Sequence, residues 1–108
     1  MLNGLVTDKY NQKFWYLNGR LHHEDGPALE YSDGHKEWYI HGELHRLDGP
    51  AIEWSDGTTW WYRAGKLHRT DGPAVQYANG FSAWYINGKE LTESEFNSPS
   101  FREFLKYI

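Results

Sequence analysis

The sequence predicts a mostly β fold: an elongated antiparallel meander of 23-residue hairpin units, closed by a short C-terminal helical cap. Three observations carry this. The chain repeats itself at a fixed period, its glycines recur at positions that mark turns, and the segments between those turns are rich in Trp, Tyr, Ile, Val and Thr.

The period emerges when the chain is laid against itself. "WYLNGRLHHEDGPALEYSDGHKE" (15–37), "WYIHGELHRLDGPAIEWSDGTTW" (38–60) and "WYRAGKLHRTDGPAVQYANGFSA" (61–83) share ten identical columns. A fourth unit opens at Trp84 with "WYINGK" and leaves the pattern at Glu90, so 84–108 reads as a partial unit plus cap. Val6 falls one period before Leu29, which makes residues 1–14 a worn half-unit. With 108 residues the chain is expected to form a single domain.

Turns bound each unit. "SDG" and "ANG" are read as two-residue hairpin loops, because Asp-Gly and Asn-Gly accept the positive φ of a type I′ turn. That register places Leu29 opposite Trp38, Ile52 opposite Trp61 and Val75 opposite Trp84. At the other end "LNG", "IHG", "RAG" and "ING" turn the chain back, so that Tyr39 faces Leu44 and Trp38 faces His45. One sheet face is then expected to carry Trp, His and Ile/Leu/Val, the other Tyr, Leu and Ala, with "DGP" as a bend. Because aromatic residues make up 18% of the chain, the core is expected to be built largely from rings. In the tail, Thr92 with Glu95 and Ser100 with Glu103 have capping-box spacing, and Pro99 precedes the second. Phe101, Phe104, Leu105 and Ile108 recur at helical spacing and predict a short amphipathic helix buried against the last hairpin.

Composition limits function. A net charge of −4, with both signs spread along the chain, argues against a broad phosphate-binding surface. There is no cysteine, hence no disulfide or thiolate chemistry. No basic start followed by an apolar run and no 18-residue apolar segment occurs. Neither export nor membrane association is therefore expected, and a cytoplasmic location is.

The most chemical-looking motif is His three residues before Asp: His22 with Asp25, His45 with Asp48, His68 with Asp71. Singly, each suggests general acid-base work; together, three histidines suggest zinc. Equivalent residues of a two-strand unit lie about 9–10 Å apart, too far to share one ion whose ligands sit at ~2 Å. Three near-copies of a pair also point to a framework part rather than to one asymmetric active site. The expectation is that Asp accepts bonds from turn amides, His packs on Trp or bonds Asp, and Arg46 and Arg69 cover rings or pair with carboxylates. No metal, no cofactor and no catalytic residue is assigned, and similar stability losses are expected on replacing each of the three histidines.

The binding candidates are the columns that vary. Lys13, His35, Lys36, Glu37, Thr58, Thr59, Trp60, Phe81 and Ser82 vary on the incoming strands, and Arg20, His41 and Arg63 vary near the far turns. His35, Lys36, Glu37, His41, Trp60, Arg63 and Phe81 form the expected binding set. Trp60 stands out, since its column holds Glu37 and Ala83 in the neighbouring units and repeat logic does not demand an indole there.

The 23-residue unit with "WYxxG" and "DG" turns resembles MORN-type repeats, and "WYxxGxLHRxDGPA" followed by "NGKELTESEF" is similar to a repeat of small bacteriophage and prophage proteins. The likeness spans residues 15–96. It implies stacked hairpins, and loosely a non-enzymatic adaptor or inhibitor of a host protein, such as a defence complex of CRISPR type, in the host cytosol. The inserted "LHRxDGPA" departs from the MORN pattern and argues against its lipid-contacting role. The alternatives are a nucleic-acid or nucleotide binder that clamps phosphate with Arg46, Arg63 and Arg69, and a His-Asp enzyme such as a nuclease. A homodimer through a sheet edge or face is a further expectation.

Overall fold

A computed structural model describes residues 1–108. Its strands are β1 Gly4–Thr7, β2 Lys13–Leu17, β3 Arg20–Leu21, β4 Leu29–Glu30, β5 Lys36–Glu37, β6 Tyr39–Ile40 and β7 Glu43–Leu44. They continue as β8 Ile52–Glu53, β9 Thr59–Trp60, β10 Tyr62–Arg63, β11 Lys66–Leu67, β12 Val75–Gln76, β13 Ser82–Ile86 and β14 Lys89–Leu91. Helices α1 Glu93–Asn97 and α2 Pro99–Phe104 follow, and a 3-10 turn over Leu105–Tyr107 ends the chain.

Ten strands form one antiparallel sheet in the order β1-β2-β4-β5-β8-β9-β12-β13-β14, with β3 paired to β2. The β6-β7 and β10-β11 hairpins stand off it as two-stranded sheets. The molecule is elongated, 50 × 31 × 18 Å. No helix is long and apolar enough to cross a membrane.

The loop over residues 55–57 differs from the expected two-residue turn. Trp54 N–H donates to the Thr58 carbonyl at 2.9 Å and Gly57 N–H to the Trp54 carbonyl at 3.0 Å, with Gly57 at φ +95°. This is a three-residue loop whose last residue bulges in the left-handed region. The carboxylate of Asp56 holds it by accepting Thr58 N–H at 2.8 Å. Every register set by these loops therefore moves by one residue: Leu29 faces Glu37, Ile52 faces Trp60 and Val75 faces Ala83. A slip of one exchanges sheet faces, so the expected partition of side chains is corrected as well.

The far turns follow the expected pattern. Tyr39 pairs with Leu44, and His45 N–H donates to the Trp38 carbonyl at 3.0 Å. His41 and Gly42 both have positive φ, 49° and 82°, as a type I′ loop requires. Single backbone bonds also stitch these hairpins side by side, as from Arg46 N–H to the Tyr62 carbonyl and from Gly65 N–H to the Leu44 carbonyl.

The core is not made largely of rings. Its buried apolar residues are Ala28, Leu29, Ala51, Ile52, Ala74, Val75, Ala83, Ile86 and Phe96. Only 14 of 108 residues are buried, because a molecule 18 Å thin has no second layer deep enough to enclose the indoles. Ala28, Ala51 and Ala74, which end each "DGPA", are wholly enclosed. Ala51 is bonded on both sides, its carbonyl to Trp38 N–H at 2.7 Å and its N–H to the Trp60 carbonyl at 2.9 Å.

The tail forms the cap, with two changes. The Thr92–Glu95 capping box is present, but the second helix is capped by Ser98, with Pro99 in its first turn, rather than by Ser100. The expected apolar stripe stays largely outside, with Phe104 51% and Ile108 45% exposed. α2 is six residues long and gives way to the 3-10 turn before the helical period completes. The buried side chain is Phe96 on α1, whose ring lies 6.5 Å from that of Trp84.

Candidate functional site: an aromatic row across the sheet

Register decides what shares a face. Phe14, Leu29, Glu37, Ile52, Trp60, Val75 and Ala83 lie directly opposite one another across successive strands and so point to the same side. Lys13, Glu30, Lys36, Glu53, Thr59, Gln76 and Ser82 form the adjacent row, which points to the other side.

On the first side the aromatic rings are continuous. Phe14 meets Tyr31 at 6.3 Å, Tyr31 stacks on His35 at 5.3 Å and His35 meets Trp54 edge-on at 5.6 Å. Trp54 then meets Trp60 at 5.1 Å, Trp60 meets Tyr77 at 6.2 Å and Tyr77 meets Phe81 at 5.9 Å. Most of these contacts are edge-to-face or tilted, the arrangements that ring quadrupoles favour. Phe81 is 61% exposed and Tyr77 41%, so the row ends in solvent. A cleft of about 200 Å³ opens between Trp54, Asp56, Thr58, Trp60 and Tyr77. The indole N–H of Trp60 is buried and has no acceptor. An unpaired donor of that kind costs about 1–3 kcal/mol.

At His35, inside the row, sits a polar knot. Glu37 accepts Tyr39 O–H at 2.7 Å and holds the His35 imidazole at 2.6 Å. Burial, and then the bond to the Glu37 carboxylate, push the Tyr39 phenol far up from its ordinary value. His35 and Glu37 therefore lock each other in place.

Four of the expected binding residues thus come together on one face: His35, Glu37, Trp60 and Phe81. Lys36 belongs to the opposite row. His41 and Arg63 lie on the far hairpins, His41 tilted against the His22 ring at 4.6 Å and Arg63 donating to the Asn87 side-chain oxygen at 3.0 Å. Trp54, Tyr31, Tyr77 and Phe14 are members of the row that sequence reasoning passed over. A signal existed: Tyr31, Trp54 and Tyr77 occupy one column that is aromatic in every unit. A two-residue loop leaves that column in the opposite row from Trp60; the three-residue loop brings it alongside.

In the His-Asp motif the expected arginine contacts with rings and carboxylates form, but the expected His–Asp bond does not. No imidazole bonds its Asp. Instead, Nδ1 of His22 accepts His41 N–H at 2.8 Å, that of His45 accepts Ala64 N–H at 2.9 Å and that of His68 accepts Asn87 N–H at 3.0 Å. Each ring thereby ties its unit to the next unit's turn. The carboxylates of Asp48 and Asp71 take Arg46 and Arg69 at 3.2 and 2.7 Å. The same guanidinium groups lie over Trp38 and Trp61 at 3.9 and 4.1 Å. In the first unit His23 replaces Arg and stacks on Trp15 at 4.1 Å. No group of three or more His, Asp or Glu side chains converges as a metal site would require.

Comparison of the chain with protein-family models, curated proteins and solved structures finds no match. The functional reading therefore rests on the geometry.

Proposed function

We propose that this protein is a non-enzymatic protein-binding module, a phage-type adaptor or inhibitor that docks a host protein on the aromatic row centred on Trp60. The observation that carries the reading is the row itself: seven rings in contact, partly exposed, around an indole donor with no acceptor. Aromatic anchors beside a small cleft are the usual centre of a protein interface, and a partner carbonyl or carboxylate would complete the shielded Trp60 N–H once the rings lining the cleft shift to admit it. Support against the rivals comes from elsewhere in the chain. Arg46 and Arg69 are already stacked on indoles and paired with aspartates, unlike a phosphate clamp. The recurrent imidazoles each spend Nδ1 on a turn amide rather than on an Asp that would orient them for acid-base work. A second copy would add at the open β1 edge, where Leu5 and Val6 are exposed.

The test is affinity capture from bacterial host lysate with wild type and Trp60→Ala, followed by measured affinity for the protein recovered. An alanine occupies the equivalent position, Ala83, so the fold accommodates the change. A Trp hot spot contributes about 2 kcal/mol or more, so binding is expected to weaken roughly thirtyfold. Equal capture by both proteins, or no specific partner, would overturn the reading.

A further inference from the structure

The second candidate site lies on the opposite side of the sheet, at the junction of the second and third units, and owes nothing to the aromatic row. A cleft of about 350 Å³ opens there, lined by Arg46, Arg63, Arg69, His68, Asp48 and Asp71 among others. Arg46 and Arg69 also reach Glu53 and Gln76, which belong to the row that points away from Trp60.

His68 is the informative residue. The residue is 7% exposed, and because Nδ1 accepts Asn87 N–H, the neutral ring must carry its proton on Nε2. That Nε2–H has no partner. The equivalent donor in the first unit is not so placed: the Glu24 carboxylate stands 3.6 Å from His22 Nε2. The column that supplies Glu24 holds Leu47 in the second unit and Thr70 in the third, so no side chain of that column can offer His68 a carboxylate. Charge agrees with this. Arg46 is paired with Asp48 and Glu53 and Arg69 with Asp71, which leaves Arg63 as the guanidinium of the cleft without a carboxylate partner.

We propose that this cleft binds a carboxylate, one oxygen accepting His68 Nε2–H and the charge balanced by Arg63, in the place that Glu24 fills at His22. The carboxylate is that of an acidic side chain on a partner or of a small free acid. Nε2 is shielded from solvent, so entry of the ligand requires side chains that line the cleft to part. Arg63 is the suited partner, because its side chain bonds a neutral amide oxygen, that of Asn87, whereas Arg46 and Arg69 are held by Asp48 and Asp71.

The experiment is NMR titration of the isotope-labelled chain near pH 7.5 with sodium acetate, at ionic strength held constant with chloride. A second arm uses an Asp-containing peptide with blocked termini and its Asn counterpart. The expected result is a saturable shift of the His68 Nε2–H and Asn87 amide signals, with a dissociation constant on the order of millimolar for so small a ligand. Acetate alone acting identifies a free acid, and the Asp peptide acting more strongly identifies a side chain. Thr70→Glu, at an exposed position, supplies an internal carboxylate and is expected to abolish the response while the protein stays folded. Arg63→Gln is expected to weaken it about tenfold or more. No saturable shift, equal responses to the Asp and Asn peptides together with none to acetate, or a Thr70→Glu variant that titrates like wild type would overturn the proposal.

Discussion

Replacing the three repeated histidines by leucine, one at a time, is expected to give unequal losses, although the sequence repeats them alike. Each replacement removes the acceptor of a turn amide, and an amide left buried without a partner costs about 1–3 kcal/mol. His22 and its bond to His41 are buried or partly so, and its Nε2 is not left buried without a partner, so His22→Leu should lose most of that amount. The bond from Ala64 to His45 is exposed, water replaces it, and the cost should stay below about 1 kcal/mol. His68→Leu loses the bond to Asn87 but also removes the buried, unpaired Nε2–H, so two effects of like size oppose each other and the net change is small. Urea midpoints of the three variants at pH 7.5 measure the ranking. Amide exchange at His41, Ala64 and Asn87 shows whether the bonds themselves were lost. Equal losses at all three sites, or unchanged exchange of the His41 amide in His22→Leu, would refute the reasoning.

Further outcomes follow from other parts of the molecule. Burial, and then Arg63, hold the His68 imidazole below its ordinary value of 6.5, so the unfolded chain takes up the proton first. Its contribution to stability is complete above pH 6.5 and is lost as pH falls from there through the lowered folded value. A decline in urea midpoint between pH 6.5 and about 5, absent in His68→Leu, checks this before carboxylates titrate. Ala64 occupies the left-handed turn position, φ +49°, that Asn18 and Asn87 fill in other units. Ala64→Asn should therefore stabilise by about 1 kcal/mol, read as a raised thermal midpoint, and a lowered midpoint would count against it. Phe96→Ala removes the one large side chain that is wholly enclosed, and should cost about 3–5 kcal/mol with loss of exchange protection through the cap. Unchanged protection there would show that the cap is held by something else.

Much of this architecture could be read from the amino acids. The 23-residue period, the His41–Gly42 type of turn, the pairing of Tyr39 with Leu44 and the Thr92 capping box are all local, set by φ preferences and by spacing along a few residues. At "SDG" the local rules admit two answers, because a glycine at positive φ fits both a two-residue loop and a three-residue loop with a bulge. Burial across neighbouring strands separates them: the longer loop sets Ile52 and Val75 on either side of Trp60 and brings Trp54 and Tyr77 to the same face. The histidines teach the same lesson. Asp48 lies three residues from His45 and was the natural partner to expect, whereas the amide that His45 accepts comes from Ala64, 19 residues on. Spacing within a unit fixes the turns and the period; which faces and which acceptors meet depends on how one hairpin stacks on the next, since hydrogen-bond geometry and burial are satisfied between units that the chain alone does not place side by side.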